Sequence, residues 1–278
     1  MFLLVPLLVI IIGVVMYYYV RNHEFSSMVW DDIDRVAHAH QDREALLDDS
    51  GLPDSMKRYL SRVLPARYEA AFFARLKQRG MFRMKAEGEA FRIEAEQYFN
   101  ALEPAFVWTA RIRMNTPLFL RLRDNYIQGK AVQFGRMLGA TTLVDTRGPR
   151  IDSAALLRYL GEMPMFPTSF PAVQGLQWQE MDQQRVGVSL THADICVRGV
   201  FHFNDEGDIC GFSTEERFRP EEALDRPTPW RGYFDDYIEI NGLRVPSVMR
   251  AAWVLDGREF LYADFRVDSV EYNIPVSW

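Results

Sequence analysis

Cysteine is nearly absent: the 278 residues hold 2, Cys196 and Cys210. So few cannot make a disulfide scaffold, and they do not form the C-x-x-C pair of a zinc or redox site. They flank "DICVRGVFHFNDEGDICGF", which reads as a hairpin with its turn in "NDEGD". Folded about Asp205–Glu206, Cys210 falls about five positions from Cys196, roughly 17 Å away along the strands. A disulfide needs Cα atoms within about 7 Å, so two free, buried thiols are expected.

Histidine is also scarce, at 5 residues, and no H-E-x-x-H pair occurs. His38 and His40 stand two apart and point away from each other on a helix. His192 and His202 flank a strand. His202 shares a face with Arg198, opposite Phe201 and Phe203, as a surface histidine would. The nucleophile elbow G-x-S-x-G and the Walker A loop are missing. "NDEGD" is too short for an EF-hand calcium loop and reads as a turn. The acidic doublets Asp31–Asp32, Glu215–Glu216 and Asp235–Asp236 offer carboxylates. Adjacent strand residues face opposite sides, so each strand doublet leaves one carboxylate in water. No catalytic residue, cofactor or metal site is assigned. Positive charge is not concentrated either. The net charge is -6, and no Lys/Arg run makes the basic patch that nucleic acid requires.

Charge is missing altogether from residues 2–20, "FLLVPLLVIIIGVVMYYYV". As a helix this stretch spans roughly 28 Å at about 1.5 Å per residue, close to the hydrocarbon thickness of a bilayer. Tyr17, Tyr18 and Tyr19, followed by Arg21, resemble an interfacial belt. A cleaved signal peptide wants a basic start, a shorter apolar core and a small-residue cleavage site. This stretch starts "MFLLVP" and ends bulky and aromatic, with no early cysteine to carry a lipid. The expectation is an uncleaved single-span anchor at residues 1–23 in the inner membrane. Arg21, the one basic residue beside the span, favours a cytoplasmic domain by the positive-inside rule.

What is present is globular: 48% hydrophobic and 25% charged residues. "MVWDDIDRVAHAHQDREALL" (28–47) reads as a helix leading away from the membrane, so 24–51 is a helical linker. "PDSMKRYLSRVLP" (53–65) and "ARYEAAFFARLKQ" (66–78) read as short helices, the first with a proline near its start. From Gly80 the period changes to two. Phe91, Ile93, Ala95 and Phe99 alternate with Arg92, Glu94, Glu96 and Tyr98. Phe106, Trp108, Ala110, Ile112 and Met114 oppose Arg111 and Arg113. Leu118, Leu120 and Leu122 oppose Arg121 and Arg123, and Leu261, Ala263, Phe265 and Val267 oppose Asp264, Arg266 and Asp268. Such alternation marks half-buried antiparallel strands. Asn241–Gly242 and Asp256–Gly257 are hairpin turns. Roughly eleven strands and one helical interruption at 151–163 make residues 52–278 a single β-rich domain. The fold class is mainly β with a few helices: a large curved antiparallel sheet or half-open barrel with a helical lid, plus the N-terminal transmembrane helix.

The interruption contains "RYLGEMPMFPTSF". Asp152 is placed to cap its helix. Leu156, Leu160 and Met163 cluster on one side of the wheel, facing a sheet wall with Phe106 and Trp108. Arg158 and Glu162 fall on the opposite side, as an i,i+4 ion pair worth about 0.3–0.5 kcal/mol. Arg before Glu is the less favourable order for the helix dipole, so Glu162 calls for a further partner such as a strand-borne Arg. The prolines stop the helix, and "MFPTSFP" offers an extended apolar run with Phe166. The segment reads as an amphipathic lid ending in an apolar flap. The candidate ligand-binding residues are Phe106, Trp108, Leu156, Leu160, Met163 and Phe166, with Arg158–Glu162 as the lid ion pair.

The order of "LPDSMKRYL", "EQYFNALEPAFVWTARIRM", "RDNYIQGKAVQFGRM", "LLRYLGEMPMFP", "LQWQEMD", "EERF" and "DDYIEINGLRVPSVMRAAWVLDG" resembles an uncharacterised bacterial family. That family is a domain of unknown function with an N-terminal apolar segment, and the likeness runs from about residue 52 to the C-terminus. It departs at "GKAVQ", where Ala131 replaces a second glycine. The resemblance implies no activity. Its strand-rich layout is similar to the half-open barrel of the LolA/LolB-type lipoprotein carriers. That implies a non-catalytic protein binding an apolar ligand, a lipid or acyl chain, with its domain on the extracytoplasmic side. A protein-interaction scaffold with a filled core is the alternative, because fold does not fix function.

Overall fold

The computed structural model describes residues 4–38, 47–114, 118–138, 140–219 and 226–276. Among these residues three α-helices, α1 (Leu4–His38), α2 (Asp54–Val63) and α3 (Pro149–Glu162), accompany thirteen strands. The first six are β1 (Phe73–Arg83), β2 (Ala90–Asn100), β3 (Ala105–Arg113), β4 (Phe119–Ile127), β5 (Lys130–Met137) and β6 (Thr141–Arg147). After α3 come β7 (Leu176–Asp182), β8 (Arg185–His192), β9 (Ile195–Phe203), β10 (Ile209–Thr214), β11 (Trp230–Ile240), β12 (Leu243–Leu255) and β13 (Arg258–Tyr272).

All thirteen form one antiparallel sheet in the order β6-β5-β4-β3-β2-β1-β13-β12-β11-β10-β9-β8-β7. Each half of the chain is a meander, and β1 pairs with β13 to join them. The two expected hairpin turns are in place. Asn241 and Gly242 have φ of 50° and 79°, and Asp256 and Gly257 have 48° and 75°. Positive φ at both central residues matches the right-handed twist of the flanking strands.

The sheet curls. Helix α3 packs on β4, β5 and β6 near one edge and on β9 near the other. One helix reaches both only if the sheet wraps around it. The β4–β5 and β8–β9 turns then meet. At Gly129 (φ +78°) a Cβ would stand 2.4 Å from the Ala193 Cβ, so only glycine fits. Beside them Tyr126 Oη lies 2.8 Å from His192 Nδ1. Helix α2 packs on β8 and β12, with its Tyr59 ring against Phe170, Phe203 and Tyr237.

The inner face carries the expected alternation. Ile93, Ala95, Phe99, Phe106, Trp108, Ala110 and Ile112 are buried. The outer face of β2–β4 is also covered, by the second half of α1. Phe25, Val29, Ile33 and Val36 pack against Phe73, Tyr98, Val107 and Ile127. Residues 28–38 of the expected leading helix therefore lie along the sheet. Residues 39–46 of that helix, with His40, lie outside the described residues. The first half of α1 is exposed and apolar, and the helix is long and apolar enough to cross a membrane.

Other expectations are corrected. Residues 73–78 form the start of β1 instead of a second short helix. Pairing on both sides, with β2 and β13, overrides the helix propensity of Ala, Leu, Lys and Gln. The strand count exceeds eleven because edge strands such as β6 and β7 are largely exposed and show weak alternation. Cys196 and Cys210 are both free, but Cys196 is exposed on the outer face of β9 and Cys210 is only partly buried, at a bulge. His202 is half-buried beside Ser213 Oγ, at 2.7 Å. A register shift at Ala251/Ala252 turns Leu261 outward and brings Tyr262 inside. Helix α3 starts with Pro149 after Gly148, and Asp152 does not cap it. Asp152 is buried and accepts the Ala131 N–H at 2.7 Å. "MFPTSFP" is no extended flap: Met163–Met165 and Pro167–Ser169 are 3₁₀ turns buried in the core.

Candidate functional site

Between α3 and the sheet lies a cavity of about 190 Å³. For scale, an engineered apolar cavity of about 150 Å³ holds benzene. Its apolar wall includes Trp108, Phe234, Met249, Trp253 and Tyr262, from β3, β11, β12 and β13. The polar part of the wall includes Asp124 on β4, Arg158 and Glu162 on α3, and Arg217, which follows β10.

Helix α3 turns both of its faces inward. Leu156, Leu160 and Met163 are fully buried in the core. Arg158 and Glu162 are not a surface pair, since each side chain is only 14% exposed. Arg158 Nε donates to Glu162 Oε1 at 3.0 Å and Nη1 donates to Asp124 Oδ2 at 3.2 Å. Its guanidinium also lies 4.9 Å from the Trp108 ring centre and 5.2 Å from that of Phe106. Glu162 does have a strand-borne partner, but it is Gln97 on β2, whose Nε2 donates at 2.6 Å. The helix is surrounded by sheet, so its charged face has no water to meet and finds complementary groups on the strands instead.

Burial pushes the Asp124 carboxyl from its ordinary 3.8 up to about 6, against the opposing pull of Arg158. A carboxyl raised on folding holds its proton better in the native state. Its contribution to stability is therefore full below the unfolded value and is lost as pH rises through the folded one. Between pH about 4 and about 6, this group should lower stability as pH rises, by at most about 1.4 kcal/mol per unit. Denaturant melts of wild type and Asp124→Asn across that range measure it. Parallel pH profiles for the two proteins would show that Asp124 does not titrate there.

Of the sequence candidates, Trp108, Arg158 and Glu162 line the cavity. Phe106, Leu156, Leu160, Met163 and Phe166 sit in the packed core beside it, with the Phe166 ring centre 4.4 Å from that of Phe99 and 5.5 Å from that of Tyr159. Sequence reasoning missed Asp124, Arg217 and the pair Trp230 and Trp253. The signal for Asp124 was available: it continues the inward parity of Leu120 and Leu122. Arg217 lies outside any regular element, so no periodicity points to it.

The cavity has an orientation. Its most exposed lining residue, Arg83, is the last of β1, and Trp253 and Phe260 flank the β12–β13 turn beside it. The β4 start lies at the same end of the sheet, two strands beyond β2. There α1 leaves the sheet, with Arg121 Nη1 donating to Asn22 Oδ1 at 2.5 Å. Further along, Asp32 meets Asn125 and the Val36 carbonyl accepts from Asn100. The exposed apolar half of α1 thus projects from the end of the sheet at which the cavity opens.

Residues 43–265 match a family of unknown function, DUF6544. None of the curated proteins matches the chain. Among solved structures, similarity extends to a putative outer membrane lipoprotein-sorting protein domain from Vibrio parahaemolyticus. It has 7% identity over 74% of this chain and 87% of the other, with a TM-score of 0.42. A LolA superfamily protein from Nitrosomonas europaea has 11% identity over 79% and 92%, with a TM-score of 0.40. A DUF1329 family protein from Desulfovibrio piger has 9% identity over 74% and 88%, with a TM-score of 0.41.

Proposed function

This chain belongs to the family of unknown function DUF6544, and we propose that it is a membrane-anchored β half-barrel that binds an apolar group, a lipid or acyl chain, without catalysis. One observation carries the reading: an aromatic-walled cavity opens at the end of the sheet from which the exposed apolar half of α1 projects. With that half in the bilayer, the opening faces the membrane surface and a chain enters it directly from the lipid. The helix runs unbroken from Leu4 into its docked half, which favours a retained anchor over a cleaved signal. The size of the cavity limits the occupant to a short chain or the end of a longer one.

The test uses full-length protein in lipid nanodiscs and an apolar fluorescent probe. Ala154 lies on α3 against the cavity, so Ala154→Phe should fill it. Probe affinity should fall about tenfold or more, with little change in melting temperature. The alternative, a filled interaction scaffold, is favoured by the complete burial of Leu156, Leu160, Met163 and Phe166. Wild-type protein that binds no probe would decide for the scaffold.

For location, our reading is the inner membrane with the sheet on the extracytoplasmic side. A C-terminal alkaline-phosphatase fusion should then be active in cells. An inactive fusion beside a bright cytoplasmic fluorescent fusion would reverse the orientation.

A further inference from the structure

Arg217 is only 8% exposed, and its guanidinium lies 4.4 Å from the Trp230 ring centre and 5.3 Å from that of Trp253. Its Nε and Nη1 have no hydrogen-bond partner among the described residues. Arg158, by contrast, is fully engaged by Asp124 and Glu162. A buried guanidinium with orphaned N–H groups is costly to the fold unless something supplies the acceptor. Burial also disfavours the charged form of Arg217.

Among the described residues the cavity lining contains five arginines, Arg83, Arg158, Arg217, Arg219 and Arg250, and two carboxylates, Asp124 and Glu162; Arg158 is taken by those two carboxylates and Arg250 by Asp235. The chain as a whole carries -6. An acidic protein has placed Arg217 at an apolar hollow whose two described carboxylates are both engaged by Arg158, and low-dielectric walls strengthen the field such a cation exerts on an anion. Arginine's planar fork suits a carboxylate or phosphate acceptor, and the indole faces hold its plane in place.

We propose that Arg217 binds the anionic head of a single-chain amphiphile, a carboxylate or a phosphate monoester, whose apolar body occupies the aromatic cavity. This rests on the apolar-ligand reading above and adds the chemistry of the head. A two-chain phospholipid is too large for the hollow, whereas a short chain fits it and a longer one leaves through the opening.

The experiment titrates the full chain in nanodiscs with hexanoate, hexyl phosphate, hexanol and hexylammonium, following tryptophan fluorescence and subtracting protein-free discs. One of the two anions should bind at least about tenfold more tightly than hexanol, and the better anion identifies the head. Hexylammonium should be the weakest. Arg217→Met should bring the anion down to the level of hexanol measured on the same variant, while Arg217→Lys should keep part of the preference. Without ligand, Arg217→Met should melt no lower than wild type, because a buried charge with no salt bridge among the described residues is gone. If it does not fold, Arg217→Lys decides. Equal binding of anions and hexanol by wild type would overturn the proposal and leave the apolar-ligand reading standing. Binding of none of the four would remove both. Anion preference that survives Arg217→Met would also overturn the assignment.

Discussion

Arg158→Met is expected to lower the unfolding free energy by about 3–5 kcal/mol, the range seen when one member of a buried ion pair is removed. The guanidinium stands between Asp124 on β4 and Glu162 on its own helix, and the two carboxylate side chains are 21% and 14% exposed. Methionine fills much of the same volume but leaves both carboxylates facing an apolar wall. Coulomb attraction to Arg158 is the main force opposing the burial of Asp124, so its carboxyl should rise further above about 6. Adding Asp124→Asn and Glu162→Gln should restore much of the loss, since a neutral network needs no cation. Urea melts of wild type, the single variant and the triple variant in detergent test this. A single variant within about 0.5 kcal/mol of wild type would place the trio in effective contact with water.

Asp32→Ala should have a comparable effect, but a local one. Asp32 is 3% exposed on the docked half of α1. Its Oδ2 accepts from Arg123 Nε at 2.7 Å and Asn125 Nδ2 at 2.5 Å, both on the outer face of β4. Removing the carboxylate leaves the 8%-exposed Arg123 unpaired under the helix, at a cost of about 3–5 kcal/mol. The cheapest relief is to lift α1 and let Arg123 reach water. Amide exchange should therefore speed up over residues 25–38 while the β3 and β12 amides keep their protection. Uniformly faster exchange would mean that helix and sheet unfold as one unit. Unchanged exchange would mean that the apolar contacts of Phe25, Val29 and Ile33 alone hold the helix.

Strands β2, β3 and β4 were legible because polar residues such as Arg92, Glu94, Arg111, Arg113 and Arg121 alternate with the buried apolar ones, and Asn-Gly and Asp-Gly fixed two of the turns. Reading failed where both faces of an element are covered. The wheel of α3 looked amphipathic, and a surface was inferred for Arg158 and Glu162. The sheet closes over that side as well, so polarity there records partners and not solvent. The partners were readable by parity: Gln97 continues Ile93 and Ala95, as Asp124 continues Leu120 and Leu122. Tyr98 shows the converse, an apparently outward residue buried because α1 arrives from far along the chain. Tertiary coverage of this kind leaves no trace in a local window.

The pairing of β1 with β13 bears on how the molecule comes into being. Apart from the long β10–β11 connection, each meander closes through short hairpins, so either half has rapid local routes to structure. The seam between them unites the first strand of the sheet with the last, Ala74 opposite Tyr272. It cannot form until the ribosome has released nearly the whole polypeptide, long after the apolar start of the chain has emerged. Until then β1 presents an unpaired edge, which invites wrong partners. The charges of Lys77, Arg79 and Arg83 blunt that edge during the wait.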